Sequence, residues 1–285
     1  HVPRTLAAAA AFVALGAAAA QPTLVHSARV RERSGVEALF VMDTSRSMAA
    51  STTAGSPTRL DRAVGAAVRM RAAIADVPAG VATLTDRVLP DLLPVPDTAS
   101  FDAVAERAVA IESPPPSATE IHATSYAALD EVASGNYFDP RARRRLVVLL
   151  TDGESNPVDP GQLAQALPPA EGYRFLAVQF WRSNETVYGA NGKPETAYRP
   201  DPLGRVVLQS LANATGGRAY TESRLGAAIS DLREAAGSGP TKPSRTITES
   251  RRSLAPYLAA LALVLLALSL VPSGPIARDI ESAVW

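Results

Sequence analysis

Val36–Met48 reads VEALFVMDTSRSM, and Arg145–Glu154 reads RLVVLLTDGE. Each carries a short apolar run, Ala38–Met42 in the first and Leu146–Leu150 in the second, that leads to a carboxylate, Asp43 and Asp152. A short apolar run without polar alternation is the pattern of a strand buried on both faces, as in a parallel sheet. In such sheets ligands bind beyond the carboxyl ends of the strands, where the strand order reverses. The two aspartates therefore mark the end of the sheet where chemistry is expected.

The surrounding sequence alternates strand and helix. Pro57–Val77 carries Leu60, Val64, Ala67, Val68 and Ile74 at helical spacing, the stripe of an amphipathic helix. Gly80–Thr85 and Val88–Val95 read as paired strands joined near Asp86-Arg87. Phe101–Ile111 reads as a helix broken by the prolines of Ser113–Ser117, and Ile121–Val132 resumes helix. Tyr173–Trp181 and Arg218–Thr221 read as strands, Arg205–Thr215 and Leu225–Ala235 as helices. This alternation predicts an α/β fold, a doubly wound, mostly parallel sheet covered on both faces. Ser183–Pro202, polar and rich in Gly, Pro and Asn, is expected to be a surface insertion.

Composition removes several function classes. The chain has 285 residues, 47% apolar and 20% charged, with 28 basic and 28 acidic side chains. Zero net charge leaves no global electrostatic case for binding nucleic acid. The absence of Cys excludes disulfides, thiolate metal sites and cysteine nucleophiles. The only histidines are His1, His26 and His122, which argues against a histidine metal site or a Ser-His-Asp triad. His122, three residues from Thr119, reads as a surface side chain. No G-x-x-x-x-G-K-[ST] phosphate loop occurs.

Both ends are apolar. Leu254–Val271 reads LAPYLAALALVLLALSLV, uncharged and with no polar face, and ~20 such residues span ~30 Å of hydrocarbon. A transmembrane helix is therefore expected over 253–272, followed by a short tail, 273–285. Thr5–Val25 is uncharged and Ala-rich. It reads either as a second membrane helix or as a signal peptide with an A-x-A cleavage site at Ala18–Ala20. The expected organisation is 1–34 as this segment and its connector, 35–236 as the α/β domain, and 237–252 as a Gly/Pro/Ser/Thr linker. Arg29, Arg31, Arg33, Lys242, Arg245, Arg251 and Arg252 flank the middle, which the positive-inside rule places in the cytoplasm. The signal-peptide reading places it outside. Position 1 is His rather than Met, so a preceding segment is expected.

The polar residues at the strand ends form a chemical set. Asp43, Ser45 and Ser47 follow a D-x-S-x-S spacing that a turning loop can point toward one centre. Asp152 follows the second strand, and Ser117-Ala118-Thr119-Glu120 stands between them. Carboxylates and hydroxyls are hard oxygen donors, suited to Mg²⁺ with its octahedral preference at ~2.0–2.1 Å. Taken singly, each motif is also a common helix cap or turn. Their joint occurrence at the strand ends of a βα pattern is what carries the metal reading.

This combination resembles the von Willebrand factor A (VWA) domain with a metal-ion-dependent adhesion site, over about Gly35 to Ala236. The resemblance rests on VMDTSRSM, on LLTDGE, and on Leu211–Tyr220 (LANATGGRAY) as a late helix–TGG–strand segment. It implies Ser45, Ser47 and Thr119 as direct ligands of Mg²⁺ (or Mn²⁺ or Ca²⁺), with Asp43 and Asp152 acting mainly through water. Ser117-Ala118 stands where the family usually has two glycines. With an Ala-Gln-Pro tract after the first apolar segment and a C-terminal apolar helix, the layout is similar to bacterial aerotolerance-type (Bat) membrane VWA proteins. That likeness implies a non-enzymatic, membrane-anchored protein whose metal binds an acidic residue of a partner protein. The expected partners are a MoxR-type AAA+ ATPase and other VWA proteins, in assembly or maturation of envelope complexes. It also favours an extracytoplasmic domain, since such relatives commonly carry a further N-terminal helix and basic loop. The alternatives are a metal-dependent hydrolase or chelatase-like component, and a structural VWA scaffold without metal-dependent binding.

Overall fold

Both apolar runs become neighbouring central strands of one sheet, with Met42 opposite Leu150 in register. The computed structural model describes residues 2–117 and 124–270. Its elements are α1 (Val2–Ala19), β1 (Thr23–Arg33), β2 (Val36–Asp43), α2 (Arg59–Ala73), β3 (Ala79–Leu84), β4 (Val88–Val95) and α3 (Thr98–Arg107). They continue with α4 (Glu131–Ser134), β5 (Arg144–Thr151), α5 (Pro160–Ala166), β6 (Tyr173–Gln179), α6 (Gly204–Ala214), β7 (Arg218–Thr221), α7 (Leu225–Ala236), β8 (Thr241–Ser253) and α8 (Ala255–Leu270).

Six strands form the main sheet in the order β4-β3-β2-β5-β6-β7, all parallel except β4, which pairs antiparallel with β3. From β2 the chain turns to β3 on one side and later returns to β5 on the other. The strand order therefore reverses between β2 and β5, at the ends that carry Asp43 and Asp152.

The unbroken apolar runs have a direct physical cause. Successive strand residues point to opposite faces, so both faces need apolar side chains when both are covered. Phe40, Met42, Leu146, Val148 and Leu150 pack with Leu60, Ala67, Met70, Phe101 and Leu232 from α2, α3 and α7. Leu39, Val41, Val147 and Leu149 pack on the opposite face with Leu129, Leu163, Leu208 and Leu211. Helix α2 starts at a capping box: Thr58 accepts from the Asp61 N–H, and the Asp61 carboxylate accepts from the Thr58 N–H at 2.8 Å.

Several expectations are corrected. The segment 237–252 is not a free linker: Thr241–Ser253 is β8 and pairs with β1 in a two-stranded sheet. Pairing with β1 ties its backbone down along one edge whatever its composition. Of the helix expected over Ile121–Val132, residues 121–123 lie outside the described residues, and in the rest a 3-10 turn (Tyr126–Asp130) leads into the single turn α4. Residues Thr119, His122 and 273–285 lie outside the described residues. Helix α5 has no counterpart in the sequence reading.

The α/β domain spans Arg29–Thr246, and the chain's two ends form a separate unit, His1–Ala28 with Ile247–Trp285. In that unit α1 packs on α8, with Ala11, Ala14 and Ala262 buried and Phe12, Val13, Leu263, Val264 and Leu268 exposed. No helix among the described residues is long and apolar enough to cross a membrane. Of the expected 253–272 span, α8 covers Ala255–Leu270, and residues 271 and 272 lie outside the described residues. Helix α1 has 18 residues, but its sequence, VPRTLAAAAAFVALGAAA, is dominated by weakly apolar alanine.

Candidate metal centre

Strand β2 delivers Asp43 to the carboxyl end of the sheet, fully buried. Its Oδ1 accepts the Ser45 N–H at 2.9 Å and the Thr124 hydroxyl at 3.3 Å. Its Oδ2 accepts the Thr151 hydroxyl at 2.5 Å. Thr151 ends β5, and its Oγ1 is itself met by the Tyr126 hydroxyl at 2.7 Å and the Gly153 N–H at 3.1 Å. With the Thr151 proton directed at Asp43, Tyr126 must donate to Thr151. Burial first, then the charge of Asp43, keeps the Tyr126 phenol well above its ordinary pKa.

The turn after Asp43 fixes the hydroxyls. Thr44 ties the loop down, its N–H to the Leu84 carbonyl at 2.9 Å and its Oγ1 to the Ser113 carbonyl at 2.8 Å. A 3-10 turn over Arg46–Ala49 then brings Ser47 back over Ser45, so the two Oγ atoms lie 3.0 Å apart. Adjacent ligands of an octahedral ion at ~2.1 Å stand ~3.0 Å apart, because cis ligands subtend a right angle. The serine pair therefore has the spacing of one octahedral edge.

Asp152 follows β5, also fully buried. Its Oδ1 accepts the Glu154 N–H and its Oδ2 a guanidinium N–H of Arg59, both at 2.9 Å. Gly153 turns the backbone at φ +92, a region open to glycine and strained for other residues. Of the residues expected in the site, Asp43, Ser45, Ser47 and Asp152 converge here. Thr119 lies outside the described residues, although its loop re-enters at Thr124, whose hydroxyl reaches Asp43.

The sequence reading missed Arg59. It is the first residue of α2, and its side chain is fully buried. Nη1 donates to Asp152, to Glu154 Oε1 and to the Tyr198 hydroxyl, each at 2.9 Å. Nε donates to Glu185 Oε2 at 2.9 Å, and the guanidinium lies 6.0 Å from the Trp181 ring centre. Burial alone would lower the pKa of Arg59, but Asp152 and the other anionic neighbours outweigh it and hold it above its ordinary value.

Glu185 and Tyr198 belong to the polar insertion, which is therefore a wall of the site rather than a free surface loop. Ser51 and Thr186 exchange backbone hydrogen bonds at 2.9 and 3.0 Å, and Val187 is buried. Arg62 pairs with Glu185 at 2.6 Å, and Arg46, inside the D-x-S-x-S turn, pairs with Glu195. Nothing in the local sequence marks these anchors, since each is polar and reads as solvated.

The charges leave room for a cation. Asp152, Glu154 and Glu185 pair with Arg59 and Arg62, and Glu222 at the rim pairs with both Arg62 and Arg182. With the buried Asp43, these five carboxylates against three guanidiniums leave a deficit equal to one divalent ion. The electrostatics agree: burial first, then the charge of Asp152, pushes the Asp43 carboxyl up to about 7. Burial and Asp152 likewise raise Glu154. Among the described residues no group of three or more His, Asp or Glu side chains is arranged to hold a metal. Metal binding here would therefore depend on the hydroxyls.

Solved structures with this arrangement of strands and helices include BatB from Bacteroides thetaiotaomicron, at a TM-score of 0.57 and 19% identity, covering 72% of this chain and 100% of that one. A second is an aerotolerance-related membrane protein from Bacteroides fragilis, at a TM-score of 0.54 and 18% identity, covering 70% of this chain and 100% of that one. The fold is shared with these two proteins. No family model matches the sequence, and no curated protein does either. At these identities it is the backbone fold that is shared, whereas the buried Arg59 network belongs to this chain's own side chains.

Proposed function

We propose that this VWA domain binds an acidic side chain of a partner protein through a divalent ion held by Ser45 and Ser47, with Thr119 as a third hydroxyl ligand. Asp43 and Asp152 would hold the ion's waters. The observation that carries the reading is the 3.0 Å spacing of the two serine hydroxyls beside two buried carboxylates. A bound divalent ion supplies an electrophilic position that a partner carboxylate can complete, because neutral hydroxyls leave its charge largely uncancelled. Mg²⁺ is the proposed ion, with Mn²⁺ or Ca²⁺ as substitutes.

The chain acts here as a binding module rather than an enzyme. Both oxygens of Asp43 and both of Asp152 already accept hydrogen bonds from donors fixed by the fold. Both side chains are fully buried, so it is the fold's own donors that reach their oxygens. The exposed apolar side chains of α1 and α8 support membrane anchoring, with partners of the MoxR-type AAA+ and VWA classes and the domain on the extracytoplasmic side.

The test is affinity capture from native membranes in Mg²⁺ and in EDTA, with wild type, Ser45→Ala and Asp152→Ala compared. A partner captured by wild type in Mg²⁺, and lost in EDTA and in both variants, is expected. A partner set indifferent to chelation and to both substitutions would overturn the reading.

A further inference from the structure

Arg59 is an unusual feature for a cation site: a guanidinium with no exposed side-chain surface, directly bonded to Asp152. Its place is over-determined. The start of α2 fixes its backbone, Glu154 and Asp152 come from the turn after β5, and Glu185 and Tyr198 come from the insertion. The Ser47 carbonyl lies 3.4 Å from the same Nη1, so the guanidinium reaches the serine turn as well. Its Nη2 is buried and makes no hydrogen bond.

We infer that Arg59 is a resident counter-ion that keeps the metal centre folded without its metal and weakens the ion's hold until a partner carboxylate arrives. The inference rests on the metal reading above and adds a regulation to it. Removing one partner of a buried charge cluster leaves the others uncompensated. Without Arg59, Asp152, Glu154 and Glu185 would be buried anions balanced only by Arg62 at the edge. With Arg59, the fold stands in the absence of the ion, and the incoming cation is repelled by the positive charge bonded to Asp152. A partner carboxylate adds a negative charge beside the ion and offsets that repulsion. Ion and partner then strengthen one another's binding by the same factor.

The experiment uses the full chain in detergent with Mn²⁺ as the probe. Dissociation constants come from calorimetry, and thermal midpoints are taken in EDTA and at saturating Mn²⁺. Arg59→Gln is expected to bind Mn²⁺ at least tenfold more tightly than wild type. It is also expected to melt well below wild type in EDTA and to regain most of that loss with Mn²⁺. Arg59→Lys keeps the charge but loses the fork, so its metal-induced rise in midpoint should fall between those of wild type and Arg59→Gln. If the Gln variant does not fold, the Lys variant's larger metal-induced rise carries the test alone. Equal Mn²⁺ constants in wild type and variants, or a stability loss that Mn²⁺ does not reverse, would overturn the role of Arg59 and leave the metal reading intact. No Mn²⁺ binding by any form would overturn the metal reading and this inference together.

Discussion

Gly153 and Gly204 touch backbone to backbone. A Cβ on Gly153 would come 2.7 Å from the Gly204 carbonyl carbon, and one on Gly204 would come 2.8 Å from that of Gly153. The first turn of α6 is thereby pressed against the turn that presents Asp152. Gly204→Ala is expected to destabilise the domain by about 1–3 kcal/mol through overpacking, and to weaken Mn²⁺ binding by moving Asp152. Urea denaturation and Mn²⁺ titration of the same variant check both effects. An unchanged metal constant would mean that α6 does not position Asp152.

Thr151→Val keeps the shape of the side chain and removes the hydroxyl that donates to Asp43. The Asp43 Oδ2 and the Tyr126 hydroxyl would each lose their buried partner. A cost of about 1–3 kcal/mol per orphaned group is expected, measured by chemical denaturation. Adding Tyr126→Phe should cost less on this background than on wild type, because its partner is already gone.

The metal-free protein should lose stability as pH rises. The folded Asp43 carboxyl, at about 7, lies above the ordinary ~3.9 of an unfolded chain. The folded state thus holds this proton more tightly. Its contribution is complete below about pH 4 and lost as pH rises through 7. Glu154 and Glu37, both raised chiefly by burial, act in the same direction. Thermal midpoints in EDTA are therefore expected to fall from about pH 5 to about pH 8, and Mg²⁺ should flatten the slope. A midpoint in EDTA that climbs over this range would contradict the assignment.

Glu185→Ala removes the acid shared by Arg59 and Arg62. A loss of about 3–5 kcal/mol is expected for breaking a buried ion pair from one side. Limited proteolysis within 186–197 should accelerate with it, since the insertion loses a principal anchor. Resistance equal to wild type would show that Glu185 does not anchor the segment.

The sheet and half of the centre were legible because their signals are apolar and local. The runs ending at Asp43 and Asp152 could be strands only if both faces were covered, and both are. The serines followed from the turn spacing. Arg59 was not legible: an arginine opening a helix reads as a solvated charge, and only the folded chain brings Glu185 and Tyr198 to it. The insertion was misjudged for the same reason, since its anchors are polar and distant in sequence. Strand β8 was hidden because TKPSRTITESRRS carries no apolar alternation, and pairing with β1 rather than a buried face makes it a strand.

The Ser34 N–H meets the Pro240 carbonyl at 3.2 Å, so the part of the α/β domain that holds the main sheet begins and ends at one point. A domain whose ends meet can be circularly permuted. Joining Ser34 to Pro240 by a short peptide and opening the exposed turn at 190–193 would yield a chain of new order with the same sheet. The domain is in effect a closed ring of polypeptide, spliced into its flanking segments at a single junction.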